Sequence, residues 1–240
     1  MSQVAEKTRN SRRKFRKFVL STFALVGLMA VCWSAYDLYL PQQLRMRDFD
    51  PAKVARLETG MWRSYYERRP INTFNQFAEA LRTQFHLPVL RSIAIAYRAS
   101  AAAFTFKAGH SRPDYEKALP DLIRFYVSVR EASDIHFDPV RAAKFELEWW
   151  IIHRERDQHP PSDLVNALAE LQAEIYQVPV DAVRVHAELR AQARLIRDTT
   201  ADTGGVTESD WDNINKLLTS SWESLSVAVN RQNQDGQSTR

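Results

Sequence analysis

The feature that most constrains this chain is an uncharged run from Phe18 to Tyr36, rich in Leu, Val, Phe and Ala. At about 1.5 Å per residue it nearly spans a hydrocarbon core of about 30 Å. Leu38 and Leu40 extend it if Asp37 lies among the headgroups. A transmembrane helix is therefore predicted over 18–40, with the lipid bilayer as partner through Phe18–Leu40. Trp33, Tyr36 and Tyr39 gather at its far end, where amphipathic rings favour the interface. The run is long for a signal-peptide core, and no good A-x-A site follows it. Cys32, the single cysteine, is preceded by Val31, too large for a lipoprotein box, and reads as an apolar membrane residue.

The net charge of +4 is carried by the N-terminus. Residues 1–17 hold seven basic side chains (Lys7, Arg9, Arg12, Arg13, Lys14, Arg16, Lys17) against Glu6 alone. Setting these aside leaves 26 basic and 28 acidic residues, a net of −2. No nucleic-acid partner is expected for such a domain. By the positive-inside rule, 1–17 is a cytoplasmic tail and the C-terminal domain lies outside the cytoplasm. For a bacterium this means a single-pass inner-membrane protein with a periplasmic domain. That domain has no cysteine, so neither a disulfide framework nor a thiol nucleophile is available to it.

Beyond a linker at 41–48 the pattern is all-α, with no convincing strand. Asp50-Pro51 starts a helix to about Arg68. A second runs from about Thr73 to His86, and an alanine-rich third from Pro88 to Phe106. Ser111-x-x-Asp114 resembles a capping box for a fourth, to about Ala132, with a bend expected at Pro120. Asp138-Pro139 starts a fifth, to about Arg156, and Ser162 or Asp163 caps a sixth. Pro179 opens a seventh, to about Arg197, and a loop is expected over Thr199–Val206. Thr207-x-x-Asp210 caps an eighth, to about Asn230. Residues 232–240 are polar and predicted to be disordered.

The first and fifth of these helices match. Phe49–Arg68 against Phe137–Arg156 gives eight identities in twenty without a gap, among them Asp50/Asp138, Glu58/Glu146, Trp62/Trp150 and Arg68/Arg156. Asn75/Asn166, Ala78/Ala169, Glu79/Glu170 and Pro88/Pro179 continue the match. The expectation is a tandem duplication of a four-helix unit, with repeats at 49–136 and 137–231. A period near 90 residues does not fit tetratricopeptide spacing. The segment Leu57-Glu58-Thr59-Gly60-Met61-Trp62-Arg63-Ser64-Tyr65-Tyr66-Glu67-Arg68, together with Glu146-Leu147-Glu148-Trp149-Trp150, resembles a family of small bacterial membrane-anchored helical proteins. The resemblance implies an envelope protein and supplies no activity.

On a helical wheel with Val54 at zero, Glu58 falls at about +40°, inside the apolar arc of the first helix, and Arg68 at about −40°. Glu146 and Arg156 hold the same places on the fifth. A buried carboxylate must be paired, hydrogen-bonded or protonated. The plain expectation is a pair of internal ion pairs, Glu58 and Glu146 with Arg68, Arg156, Arg98 or Arg190. If the duplicated helices pack antiparallel, the crossed pairs Glu58–Arg156 and Glu146–Arg68 are favoured. The alternative is a ligand or metal site, possibly in an enzyme, that uses Glu58, Glu146 and His153, with Trp62, Tyr65, Trp149 and Trp150 as flanking aromatics. The sequence has no Glu-x-x-His pair, Gly-rich phosphate loop or nucleophile elbow. No catalytic residue, cofactor or metal is assigned. The leading expectation is an interaction or scaffold module of the envelope with a protein partner. Such a module should seal its glutamates against arginines and carry an apolar patch elsewhere.

Overall fold

The computed structural model describes residues 2–39 and 43–237. Leu40 at the end of the expected span, Pro41 and Gln42 of the linker, and 238–240 of the tail lie outside the described residues. The fold is all-α, and the chain divides between Leu40 and Pro41 into two compact units. The first unit is one helix, α1 (Ser2–Tyr39). Its part Phe15–Tyr39 is long and apolar enough to cross a membrane, and Phe18, Phe23 and Leu28 are exposed on it. The basic stretch expected as a separate tail continues the same helix. Its Gln, Ala, Glu, Lys and Arg residues are good helix formers, and no proline occurs before Pro41.

The second unit starts from two matching caps. Asp50 accepts from Lys53 N at 3.0 Å and Pro51 takes the first position of α2 (Pro51–Tyr66). Asp138 accepts from Val140 N at 2.8 Å and Pro139 opens α7 (Pro139–Arg154). Proline suits this position because its missing N–H has no intrahelical partner there. The same reason moves two expected starts: α3 (Pro70–Phe85) begins before Thr73, and α8 (Pro161–Tyr176) places Ser162 and Asp163 inside its first turn. Between them α4 spans Val89–Ala108.

The helix expected over 111–132 is broken into α5 (Arg112–Tyr115), a 3-10 turn at Glu116–Ala118, and α6 (Leu119–Ala132). Pro120 cannot accept the turn before it, so the chain tightens upstream and restarts. A second 3-10 turn, Val180–Val183, leads into α9 (Arg184–Asp202), which takes up part of the expected loop. Thr207 N and Oγ1 donate to Asp210 Oδ2 at 2.8 and 2.7 Å, at the start of α10 (Glu208–Gln237). The tail expected to be disordered from 232 is thus helical to Gln237. Nor is 43–48 a free linker. Leu44 exchanges backbone bonds with Ala132 O and Asp134 N at 2.9 and 3.0 Å, and Met46 is fully buried.

The helices close a ring. α2 packs on α3, α3 on α4, α4 on α6, and so on through α7, α8 and α9 to α10, which returns to α2. Arg47–Asn230, Thr59–Asn215 and Arg63–Glu208 contacts run α10 antiparallel to α2. Across the ring, Glu58, Trp62 and Tyr66 of α2 meet Arg190, Arg194 and Arg197 of α9 in that order. Trp149 and His153 of α7 meet Arg194 and Asp198 in the same sense. α2, α7 and α9 therefore run parallel. The antiparallel packing expected of α2 and α7 is overturned, and the crossed ion pairs fall with it. In parallel helices Glu58 and Glu146 share one level, with Arg68 and Arg156 about 15 Å further along. Arg68 also lies past the end of α2 with φ +58°, and both arginines are exposed.

Candidate functional site

The ring interior is organised by one face of α9. Arg190, Arg194 and Arg197, spaced by four and three residues, project into it at successive levels. At the first level Glu58 is 4 % exposed. Arg190 donates to its Oε1 from Nε at 3.0 Å and Nη2 at 2.6 Å, and Trp222 Nε1 donates to its Oε2 at 2.8 Å. Glu146 is half-buried and held by neutral donors, Tyr126 OH at 2.8 Å and Trp150 Nε1 at 2.9 Å. Burial, with the Glu146 carboxylate beside it, pushes the Tyr126 phenol up, so its proton stays on the tyrosine.

At the second level the Arg194 guanidinium lies between two indoles, 4.4 Å from the ring centre of Trp62 and 4.9 Å from that of Trp149. At the third, Arg197 stacks on Tyr66 and donates to Asp198 Oδ1 at 2.7 Å, while His153 Nε2 meets Asp198 Oδ2 at 2.9 Å. Burial pushes Asp198 up, but the bonds from His153 and Arg197 outweigh it and hold the carboxyl at about 2.

The residues singled out in the sequence thus separate. Glu58, Glu146 and His153 each have their own partners, and among the described residues no group of three or more His, Cys, Asp or Glu is placed to hold a metal. The paired-carboxylate arrangement does not assemble, because Tyr126, Trp150, Arg190 and Trp222 occupy the carboxylate oxygens. The aromatic set divides too. Trp62 and Trp149 share Arg194. Tyr65 is 50 % exposed against Tyr66 and Lys107. Trp150 packs on Phe106, 5.3 Å between ring centres.

Behind the first level lies His186, 1 % exposed, its ring 5.1 Å from that of Trp222. Ser221 Oγ donates to His186 O at 2.8 Å, so Nδ1–H donates to Ser221 O at 3.0 Å. Nε2 is left buried with no partner among the described residues. Burial, with Arg190 nearby, lowers this imidazole to about 4. A shallow surface depression by Asp50, Lys53, Arg82, Thr83 and His86 is lined by other residues than these levels.

Arg194, Arg197, Asp198 and Trp222 were not foreseen from sequence. The signal available was the 190/194/197 spacing, a single stripe of cations on one helix face. In comparisons with known proteins, no family model, no curated protein and no solved structure matches this chain.

Proposed function

We propose that this protein is a single-pass, membrane-anchored interaction module whose helical ring presents α4 to a protein partner. The observation that carries the reading is an apolar stripe on α4. Val89, Ile93, Tyr97 and Phe104 are 45, 43, 70 and 70 % exposed, and they fall on one side of the helix between buried Ile95, Ala96, Ala99 and Ala102 on the other. An exposed apolar row of this kind, together with a Glu58 carboxylate sealed by Arg190, favours a scaffold over a carboxylate enzyme, although Glu146 takes the neutral donors Tyr126 and Trp150 in place of the expected arginine.

The anchor reading rests on Phe15–Tyr39 and the basic residues before it. It places the N-terminus in the cytoplasm and the ring outside it, at the bacterial inner membrane.

The duplication reading gains support from paired contacts. Trp222 donates to Glu58 as Tyr126 donates to Glu146, both at 2.8 Å. Phe49 meets Trp222 edge-on, and Phe137 meets Tyr126 edge-on, with ring centres 5.7 and 6.2 Å apart. His86 and Gln177 both end their helices at positive φ, 54° and 50°. On this reading the repeats are related by an axis along the helices.

The test of the module is photo-crosslinking. A photoreactive residue is placed at Tyr97 or Phe104 in the full chain in native membranes, with Leu195, also exposed but on α9, as control. A discrete adduct at 97 and 104 and none at 195 is expected. Equal yields at all three positions, or no adduct at any, would remove the reading. An alkaline phosphatase fused after Arg240 should be active; an inactive fusion with an active cytoplasmic reporter would reverse the orientation.

A further inference from the structure

We propose that the interior of the ring binds a small oxyanion, a carboxylate or phosphate group, at Arg194. The argument begins with charge. Arg190 is neutralised by Glu58 and Arg197 by Asp198. Arg194, between them, makes no hydrogen bond or ion pair among the described residues. It lies against the faces of Trp62 and Trp149, with Glu58 and Asp198 acting on it from the neighbouring levels.

Two indole faces orient a guanidinium and exclude water from its sides, but they supply no acceptor. Burial accordingly disfavours the charge and lowers the Arg194 pKa. An arginine cannot shed that charge by deprotonating at any ordinary pH, and Glu58 and Asp198 act on it only at longer range, so a bound anion would offset it directly.

The unpartnered buried polar atoms on these side chains are of one kind. Arg194 Nε, Arg197 Nε, Trp62 Nε1 and Trp149 Nε1 are all buried without a partner among the described residues, and all are donors. A site left with surplus donors and a cation that makes no ion pair fits an acceptor-only, negatively charged group. The terminal nitrogens of Arg194 are not among these buried atoms, and the residue is half-buried. The fork end is therefore reachable while the stem is clamped. A planar fork held in this way matches the two oxygens of a carboxylate or phosphate. The proposal is independent of the α4 face.

The full chain in detergent is titrated with inorganic phosphate and, separately, with acetate. Ionic strength is held with sodium chloride, and tryptophan emission and Tm are followed. Two of the six tryptophans flank the guanidinium. A saturable emission change with a rise in Tm is expected for at least one anion. Arg194→Lys keeps the charge but loses the fork and should weaken binding about tenfold. Arg194→Met should abolish the response, and Arg124→Met, the same charge change on an exposed α6 side chain, should leave it intact. Phosphate also stabilises proteins by exclusion from their surface, without saturation. A response that does not saturate for either anion, or one unchanged in Arg194→Met, overturns the site. Should Arg194→Met fail to fold, the wild-type titration and Arg194→Lys decide the matter.

Discussion

Arg190 grips one oxygen of Glu58 with two nitrogens, at 3.0 and 2.6 Å, across the ring from α9 to α2. The other oxygen is held by Trp222, and the Arg190 and Glu58 side chains keep only 15 and 5 % of their surface exposed. Glu146, its counterpart on α7, is held by two neutral donors and is only half-buried. The two glutamates should therefore respond differently to loss of charge. Glu58→Gln strands the Arg190 cation and should cost about 3–5 kcal/mol. Glu146→Gln keeps an acceptor for one of its donors and should cost about 1–2 kcal/mol. Urea denaturation of both variants measures the difference. A larger loss at Glu146 would mean that the Glu58 pair is not the stronger tie.

Acid should weaken the fold early through His186. Its pKa is depressed from the ordinary 6.5 to about 4. The unfolded chain takes up this proton first, so the contribution is complete above 6.5 and is lost as pH falls towards 4. Over that window the loss is roughly 3 kcal/mol. The cause is Nε2, which on protonation would carry a buried N–H⁺ with no acceptor. His186→Gln should flatten the stability curve between pH 6.5 and 4. A variant with the same acid slope as wild type would assign the loss to another group.

A second acid step belongs to Asp198. Its carboxyl is depressed from 3.8 to about 2, so its contribution is present above 3.8 and is lost as pH falls through 2. His153→Phe removes one of the two bonds that hold it down. The variant should lose roughly 1–2 kcal/mol at neutral pH and begin its acid transition at higher pH. NMR titration of the Asp198 carboxyl reads this directly; an unmoved midpoint would separate the two side chains.

Two glycines should part company on substitution by alanine. At Gly60 a Cβ would meet only the mobile end of Gln76, nearest atom 2.7 Å. That side chain can swing aside, and the helix gains about 1 kcal/mol of propensity. At Gly109 a Cβ would meet the Tyr115 ring at 2.9 Å, and the ring is buried against Phe106. Gly60→Ala should raise Tm or leave it unchanged, and Gly109→Ala should lower it. Thermal melts of the two variants check the order.

How much of this was legible depended on distance along the chain. Asp50-Pro51 and Asp138-Pro139 announced α2 and α7 because a cap is a local bond. The apolar run from Phe18 was legible for the same reason: length and composition suffice. The partner of Glu58 was one of four arginines named, and the direction of packing decides among them. A single helix carries no record of whether a distant helix runs with it or against it. Arg194 stayed hidden because a stripe of arginines reads as a solvated face. Only Trp62 and Trp149, from α2 and α7, turn that face inward. The early break before Pro120 and the late end of α10 show the usual limits of reading helix boundaries.

The antiparallel contact of α10 with α2 has a mechanical meaning. Asn230 Nδ2 donates to Arg47 O at 3.1 Å, so the chain enters and leaves the ring at one corner. A pull applied between those two ends loads this contact at its edge. It would peel Phe49 from Trp222 first, then Glu58, then Arg63 from Glu208, one row at a time, as a zipper opens. The bond from Arg47 to Tyr176 O ties the entering chain to α8 as well and would share that load.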